Sequence, residues 1–256
     1  MKRSPVLLLG LALALCGCFP ALPADGGGMT DFNPPRDIDP ADVALPEGYE
    51  IEAVATGLTF PTDVTFDEQG GVYVTEAGYS YGDVVTTPRL LRLEPEGSPT
   101  VIARGTNPPW NGVEYHEGAF YVAGGHLEPG QILRVSMDGT ITPLVEGLPS
   151  LGDHFPSGPL LGPDGWLYFG QGTATNSGVV GEGSFHFGWP YRYPEFNDIP
   201  CEDIVLRGQN YITPNWLTDD PDDEAVTGAY VPFGAPTTPG QVIPGQVPCN
   251  GAVMRV

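Results

Sequence analysis

The chain has 256 residues, a formal net charge of −22, 36 glycines and 29 prolines. Acidic residues outnumber lysine plus arginine by 32 to 10, a balance that repels phosphate backbones and anionic lipid and so argues against nucleic-acid binding and electrostatic membrane attachment. Proline or glycine interrupts nearly every window of helix length, yet the apolar fraction of 41% is that of a folded protein, which suits short strands joined by tight turns.

Residues 1–17 read as an export signal. Met1-Lys2-Arg3 supplies the positive charge, and Val6 to Leu15 is an apolar run too short to span a membrane. The run ends in Leu15-Cys16-Gly17-Cys18, which resembles the lipobox of bacterial lipoproteins. Cys18 is therefore the expected lipidation site, and its lipid the expected anchor to the bacterial cell envelope. Ordinary cleavage near Ala21 or Ala24, discarding both cysteines, is the alternative. Residues 18–46, rich in Gly, Pro and Asp, read as a flexible tether. Only Cys201 and Cys249 then remain, and in an oxidising compartment they can close one disulfide, a constraint of about 4 kcal/mol in the chain-entropy picture.

From residue 47 onward the chain repeats at a period of roughly 47 residues. Three strand cores read Val72-Tyr73-Val74, Phe120-Tyr121-Val122 and Leu167-Tyr168-Phe169. Three residues before each tyrosine stands a glycine (Gly70, Gly118, Gly165), and further back a proline (Pro61, Pro109, Pro156). Each unit also has a later strand with an arginine between apolar residues, around Arg92, Arg134 and Arg255. An apolar run leading into glycine recurs as Ile51 to Gly57, Val101 to Gly105 and Leu144 to Gly147. Four short strands in such a unit predict a β-propeller blade, and the glycine supplies the turn residue that takes positive φ. The expected fold is an all-β propeller of four-stranded blades over 47–256, with about three blades of an expected six.

The third unit carries an insertion over about 173–252, since Arg255 follows Tyr168 at a far greater distance than Arg92 follows Tyr73 or Arg134 follows Tyr121. Both mature cysteines lie within it. So does the acidic run Asp219 to Glu224, which lacks the ligand alternation of an EF-hand loop and reads as a solvated turn. Tyr49 to Ala55 reads as an outer strand arriving ahead of its own blade. The expectation is an N-terminal part of a larger propeller, completed by a missing half or by a homodimer of two three-blade sets.

Four stretches then point to a family: "GLTFPTDVTFDEQGGVYVTEAG", "GVEYHEGAFYVAGG", "ILRVSMDGTITPLVEGLP" and "HFPSGPLLGPDGWLYFG". From about Leu45 to Val256 the sequence resembles the first half of the glucose/sorbosone dehydrogenase family, which includes the soluble quinoprotein glucose dehydrogenases. The resemblance implies a sugar or alcohol dehydrogenase using pyrroloquinoline quinone and calcium, the cofactors not being bound by this part alone. It also implies that His154 is the general base taking the substrate hydroxyl proton, a role suited to an imidazole neutral near pH 7. In the quinoprotein pattern the strand after the tyrosine ends in Gly-Asp, whose aspartate orients the histidine; here the place reads Gly172-Thr173. The family's later Gly-x-Arg-Asn segment has no counterpart in the sequence. Asn111 occupies the channel-mouth position in the second unit and is a candidate substrate contact, although an Asn-Gly turn explains it equally well. No spacing among His116, His126, His154 and His186 predicts a metal site. The competing reading is a non-catalytic propeller lipoprotein binding a carbohydrate or protein partner on its insertion.

Overall fold

Two antiparallel four-stranded meanders follow one another along the chain, and a third sheet repeats their beginning. The structure is a computed structural model and describes residues 40–80, 84–126, 128–152 and 154–256. The signal segment, Cys18 and most of the tether lie outside the described residues. The described residues are 38% strand and 5% helix, in several antiparallel sheets, so the all-β propeller expectation stands.

The first blade is β1 (Pro61–Phe66), β2 (Val72–Glu76), β5 (Arg89–Leu93) and β6 (Thr100–Arg104), with a small hairpin of β3 (Tyr79–Ser80) and β4 (Val84–Val85) between its second and third strands. The second is β7 (Trp110–His116), β8 (Ala119–Gly124), β9 (Gly130–Ser136) and β10 (Ile141–Leu148). In the third, β11 (Ser157–Leu161) pairs with β12 (Leu167–Gln171), which pairs with β17 (Ala252–Arg255). The repeat seen in the sequence is a repeat of register. Tyr73 faces Arg92, Tyr121 faces Arg134 and Tyr168 faces Arg255, each directly across a strand pair. Gly70, Gly118 and Gly165 all adopt left-handed backbone, at φ of 81°, 77° and 82°, which an L side chain would strain.

The innermost strands lie side by side. Asp63 on β1 accepts a hydrogen bond from the Val113 amide of β7 at 2.9 Å, and the Thr65 hydroxyl accepts from the Tyr115 amide at 3.1 Å. Strands β7 and β11 approach so closely that a Cβ on Gly112 would stand 2.5 Å from the Gly158 nitrogen. Between the first two blades the core holds Tyr73, Leu90, Trp110, Phe120, Val122 and Val135. Between the second and third it holds Ala123, Ile132, Leu148, Leu167 and Phe169. Outward faces of the first and third sheets leave Val64, Phe66, Leu160 and Val253 exposed.

One predicted strand is absent. Tyr49 to Ala55 is not assigned to any strand, and Val54 is 76% exposed. Its apolar spacing suits a strand, but among the described residues it joins none of the sheets.

The insertion is a small subdomain of its own. It contains α1 (Glu182–His186), α2 (Trp189–Arg192), the pair β13 (Ile204–Val205) with β16 (Val242–Ile243), and the hairpin β14 (Asn210–Pro214) with β15 (Glu224–Gly228). Ala174, Val180, Trp189 and Phe196 form its core. The acidic run is the turn of that hairpin, where Asp223 accepts from the Asn215 amide nitrogen and the Thr218 hydroxyl, both at 2.9 Å. Cys201 and Cys249 are joined in a disulfide, with Cα atoms 5.0 Å apart.

Candidate functional site

The mouth of the blades is the edge where inner strands begin and second strands end. There His154 and Asn111, candidates from separate units, line one open cleft of about 470 Å³. Phe155, Ser157, Gln171 and Gly172 complete much of its wall.

His154 is exposed, and its Nδ1 lies 3.1 Å from the Thr173 carbonyl oxygen and 3.0 Å from the Thr173 hydroxyl. A carbonyl oxygen only accepts, so Nδ1 carries a proton, and in the neutral tautomer Nε2 is the nitrogen with the lone pair. Thr173 therefore sets the tautomer through its backbone. It supplies no formal negative charge, so it orients the imidazole without adding a counter-charge for the imidazolium.

Glycine at 172 is what lets β12 run out beneath this ring. A Cβ there would lie 2.3 Å from the His154 Cβ and 2.8 Å from its carbonyl carbon. The Gly172 carbonyl is itself held, by the Asn250 Nδ2 at 3.0 Å, the Gly251 amide at 3.2 Å and the Gln171 Nε2 at 3.3 Å. Asn250 also donates to Pro149 O at 2.7 Å and accepts from the Ile199 amide at 2.9 Å. It thereby joins the third blade, the loop after β10 and the insertion at one point next to the disulfide. Gln171 Nε2 donates to Pro149 O at 3.1 Å as well, which leaves its Oε1 buried and without a partner.

His126 lies next to this site and is only 3% exposed. Its Nδ1 stands 3.1 Å from the Gly152 carbonyl, so that nitrogen carries the proton. The rings of Trp189, Phe155 and Tyr79 surround it with centroids at 4.3, 4.5 and 4.6 Å. Burial is the main cause that holds its pKa down to about 4; the Gly152 carbonyl opposes the shift, and the nearby Arg192 guanidinium adds to it. His126 is thus a neutral imidazole inside an aromatic box.

Other candidates fall elsewhere. His116 ends β7, 3.8 Å from the Glu117 carboxylate, and His186 ends α1. Asn250 and His126 were not singled out by the sequence as parts of the site, whereas Gly172-Thr173 stood there as the place of the family's orienting aspartate. Asn250 and His126 carried no local signal, because their partners come from distant parts of the chain.

A second, more polar cleft of about 590 Å³ opens on the insertion side, lined by Thr175, Asn176, Ser177, Glu202, Asp203 and Tyr230 among others. Asp198 at its wall is buried and spoken for, accepting from the Ala174 amide at 2.6 Å, the Thr175 amide at 3.1 Å and the Thr175 hydroxyl at 2.5 Å.

No protein-family model and no curated protein matches the sequence. Among solved structures, the chain is similar to the pyrroloquinoline-quinone-bound form of an aldose sugar dehydrogenase from Streptomyces coelicolor. The match has a TM-score of 0.40 at 19% identity, and covers 50% of this chain and 42% of that one. The chain thus spans less than half the length of that protein, and the chemistry proposed below rests on this chain's own residues.

Pyrroloquinoline quinone carries carboxylates that call for cationic partners, and calcium calls for several oxygen ligands. Among the described residues the 470 Å³ cleft is lined by no arginine, lysine or carboxylate, and no group of three or more His, Cys, Asp or Glu is placed to hold a metal. These residues suit a hydroxylated substrate and a base, not the quinone or its calcium.

Proposed function

We propose that the chain is an exported, lipid-anchored propeller protein of the glucose/sorbosone dehydrogenase type, and that His154 is the base of its substrate cleft. The observation that carries this reading is the fixed tautomer: Nδ1 faces the Thr173 carbonyl, which leaves Nε2 of a cleft-lining imidazole free to accept a proton. A sugar or alcohol hydroxyl bound beside Asn111 donates its proton to Nε2, and the resulting imidazolium keeps its Nδ1–H on Thr173. Asn111, with both donor and acceptor atoms, suits a second hydroxyl of the same substrate. The hydride acceptor of such chemistry is a quinone, whose cradle the described residues do not form, so no step through it is drawn.

A second reading rests on the polar cleft of the insertion. Its hydroxyl, amide and carboxylate side chains suit a polyhydroxyl ligand held without chemistry, as in a carbohydrate-binding propeller lipoprotein.

Dye reduction by aldoses with added quinone and calcium, run on the completed propeller beside its His154→Ala form, tests both. Turnover that needs all three additions and falls at least about a hundredfold in the variant supports the dehydrogenase reading. Sugar binding without turnover moves the protein to the second reading, and neither binding nor turnover overturns both.

A further inference from the structure

His154 has two anchors. Thr173 holds its ring, but the backbone that carries it is held from the other side by His126. The imidazole of His126 touches both flanks of His154: its Nδ1–H donates to the carbonyl of Gly152, and its ring meets the edge of Phe155 at an interplanar angle of 81°. We propose that His126 is the positioning residue of the cleft, holding the Gly152 carbonyl on one side of His154 and packing on the Phe155 ring on the other, so that the His154 ring stays docked on Thr173. The proposal rests on the reading of His154 as the base.

Four parts of the fold meet on this one side chain. Tyr79 comes from the hairpin of the first blade, His126 from the end of β8, Phe155 from the start of the third blade, and Trp189 from the insertion. The backbone of His126 is in turn fixed by Asn107, whose Oδ1 accepts from the His126 amide at 3.3 Å and the Glu128 amide at 3.1 Å. The Asn107 Nδ2 donates to Glu128 O and Pro129 O at 3.3 and 3.1 Å, which holds Asn107 in place. A phenylalanine at 126 would fill the aromatic box equally well; of the two, the imidazole alone also supplies a donor to Gly152. The box alone therefore does not account for a histidine here, whereas holding the Gly152 carbonyl does. Gly152 has a φ of 134°, and a Cβ on it would stand 2.4 Å from the Ala174 carbonyl oxygen, so the chain passes this point in one narrow conformation. Losing the hydrogen bond that pins it lets His154 swing off Thr173.

The experiment is nitrogen-15 NMR of the two histidine rings at neutral pH in the native protein, in His126→Phe and in His126→Asn. Phenylalanine keeps the ring packing and removes the donor. Asparagine places an amide nitrogen near the Nδ1 position and restores the donor. The native spectrum is expected to show both His126 and His154 as Nδ1–H tautomers. In His126→Phe, His154 is expected to shift toward the Nε2–H form that a free side chain prefers, and in His126→Asn to return toward Nδ1–H. Where sugar oxidation is measurable, kcat of His126→Phe falls about tenfold or more with KM little changed, because a misplaced base costs turnover rather than binding.

A native His126 in the Nε2–H form overturns the proposal, and this result needs no folded variant. So does a His154 tautomer unmoved by His126→Phe. If the tautomer moves as expected while no form of the protein oxidises sugar, the positioning role stands and the dehydrogenase reading falls.

Discussion

The Nδ1 atom of His154 sits 3.1 Å from the carbonyl oxygen of Thr173 and 3.0 Å from its hydroxyl. The two acceptors are not equivalent. A carbonyl dictates which nitrogen holds the proton, whereas a hydroxyl adapts to either tautomer. Thr173→Val removes only the adaptable partner. It is expected to leave His154 as the Nδ1–H tautomer and to change any turnover by less than about fivefold, since a neutral hydrogen bond at an exposed site contributes on the order of 1 kcal/mol at most. A switch of tautomer in the valine variant, read by nitrogen-15 NMR, would mean that the hydroxyl and not the backbone orients the base.

Gly172→Ala tests the same contact from below. The φ of Gly172 lies outside the left-handed region, so an alanine has no backbone strain to overcome; the obstacle is the His154 Cβ at 2.3 Å. Either the His154 backbone lifts or the end of β12 drops. The expected outcome is a folded protein, destabilised by about 1–3 kcal/mol as in other overpacked sites, whose His154 signals are displaced and whose cleft has lost its sugar response. An alanine variant with native His154 shifts would show that the contact relaxes elsewhere, and that glycine at 172 has no bearing on the site.

Buried, neutral His126 makes stability depend on acid. Its pKa in the folded chain is about 4, against 6.5 for an ordinary histidine. Between those values the unfolded chain binds a proton that the folded chain refuses, so stability from this group is full above pH 6.5 and is lost as pH falls toward 4. The whole effect is roughly 3 kcal/mol. Urea unfolding at pH 7.5 and 4.5 measures it, and His126→Phe is expected to flatten the dependence by most of that amount. Equal slopes in the two proteins would show that His126 titrates as if exposed.

How much of this was legible in the sequence depended on whether the information was periodic. Tyr73, Tyr121 and Tyr168 recur with their glycines and arginines because each blade must close the same turn and pair the same strands, so their spacing carried the register. His154 was reached through the motif around the Gly-Pro-Asp turn and Asn111 through its place in the second unit; Asn111 lies within β7 and His154 ahead of β11, and both line the same cleft. The failures were of two kinds. Tyr49 to Ala55 has strand-like residues, but a strand also needs an edge to pair with, and apolar spacing cannot supply one. His126 has partners drawn from Tyr79, Gly152, Phe155 and Trp189, which no local window contains. Asn250 is similar, since its amide meets Pro149, Gly172 and Ile199 only after the insertion has folded back.

Phe120 measures how far the blades depend on one another. It is fully buried between the first two sheets, with its ring centroid 4.6 Å from Tyr73 and 5.2 Å from Tyr115. Phe120→Ala leaves a cavity bounded by two different blades, and is expected to cost about 3–5 kcal/mol in urea unfolding. A loss near 1 kcal/mol would mean that the two sheets collapse onto the gap and are not a rigid pair.

Asn250 permits a comparison of two substitutions that differ only in what the side chain offers. Its Nδ2 donates to Pro149 O and Gly172 O, while its Oδ1 accepts from the Ile199 amide. Asn250→Ala removes all three bonds, and the backbone groups left behind cost about 1–3 kcal/mol where water does not reach them. Asn250→Asp keeps the acceptor for Ile199 but turns the donor into a second oxygen facing two carbonyl oxygens. At neutral pH that oxygen carries charge in a chain already at −22, and the side chain it replaces is only 8% exposed. The aspartate variant is therefore expected to be the less stable of the two at pH 7, and to recover part of the difference in acid, where its carboxyl is protonated and regains a donor. Thermal unfolding of both variants at pH 7 and pH 5 gives the ranking. If aspartate is instead tolerated as well as alanine at pH 7, the contacts to Pro149 and Gly172 do not hold the end of β12, and the carbonyl at 172 is kept in place by Gly251 and Gln171 alone.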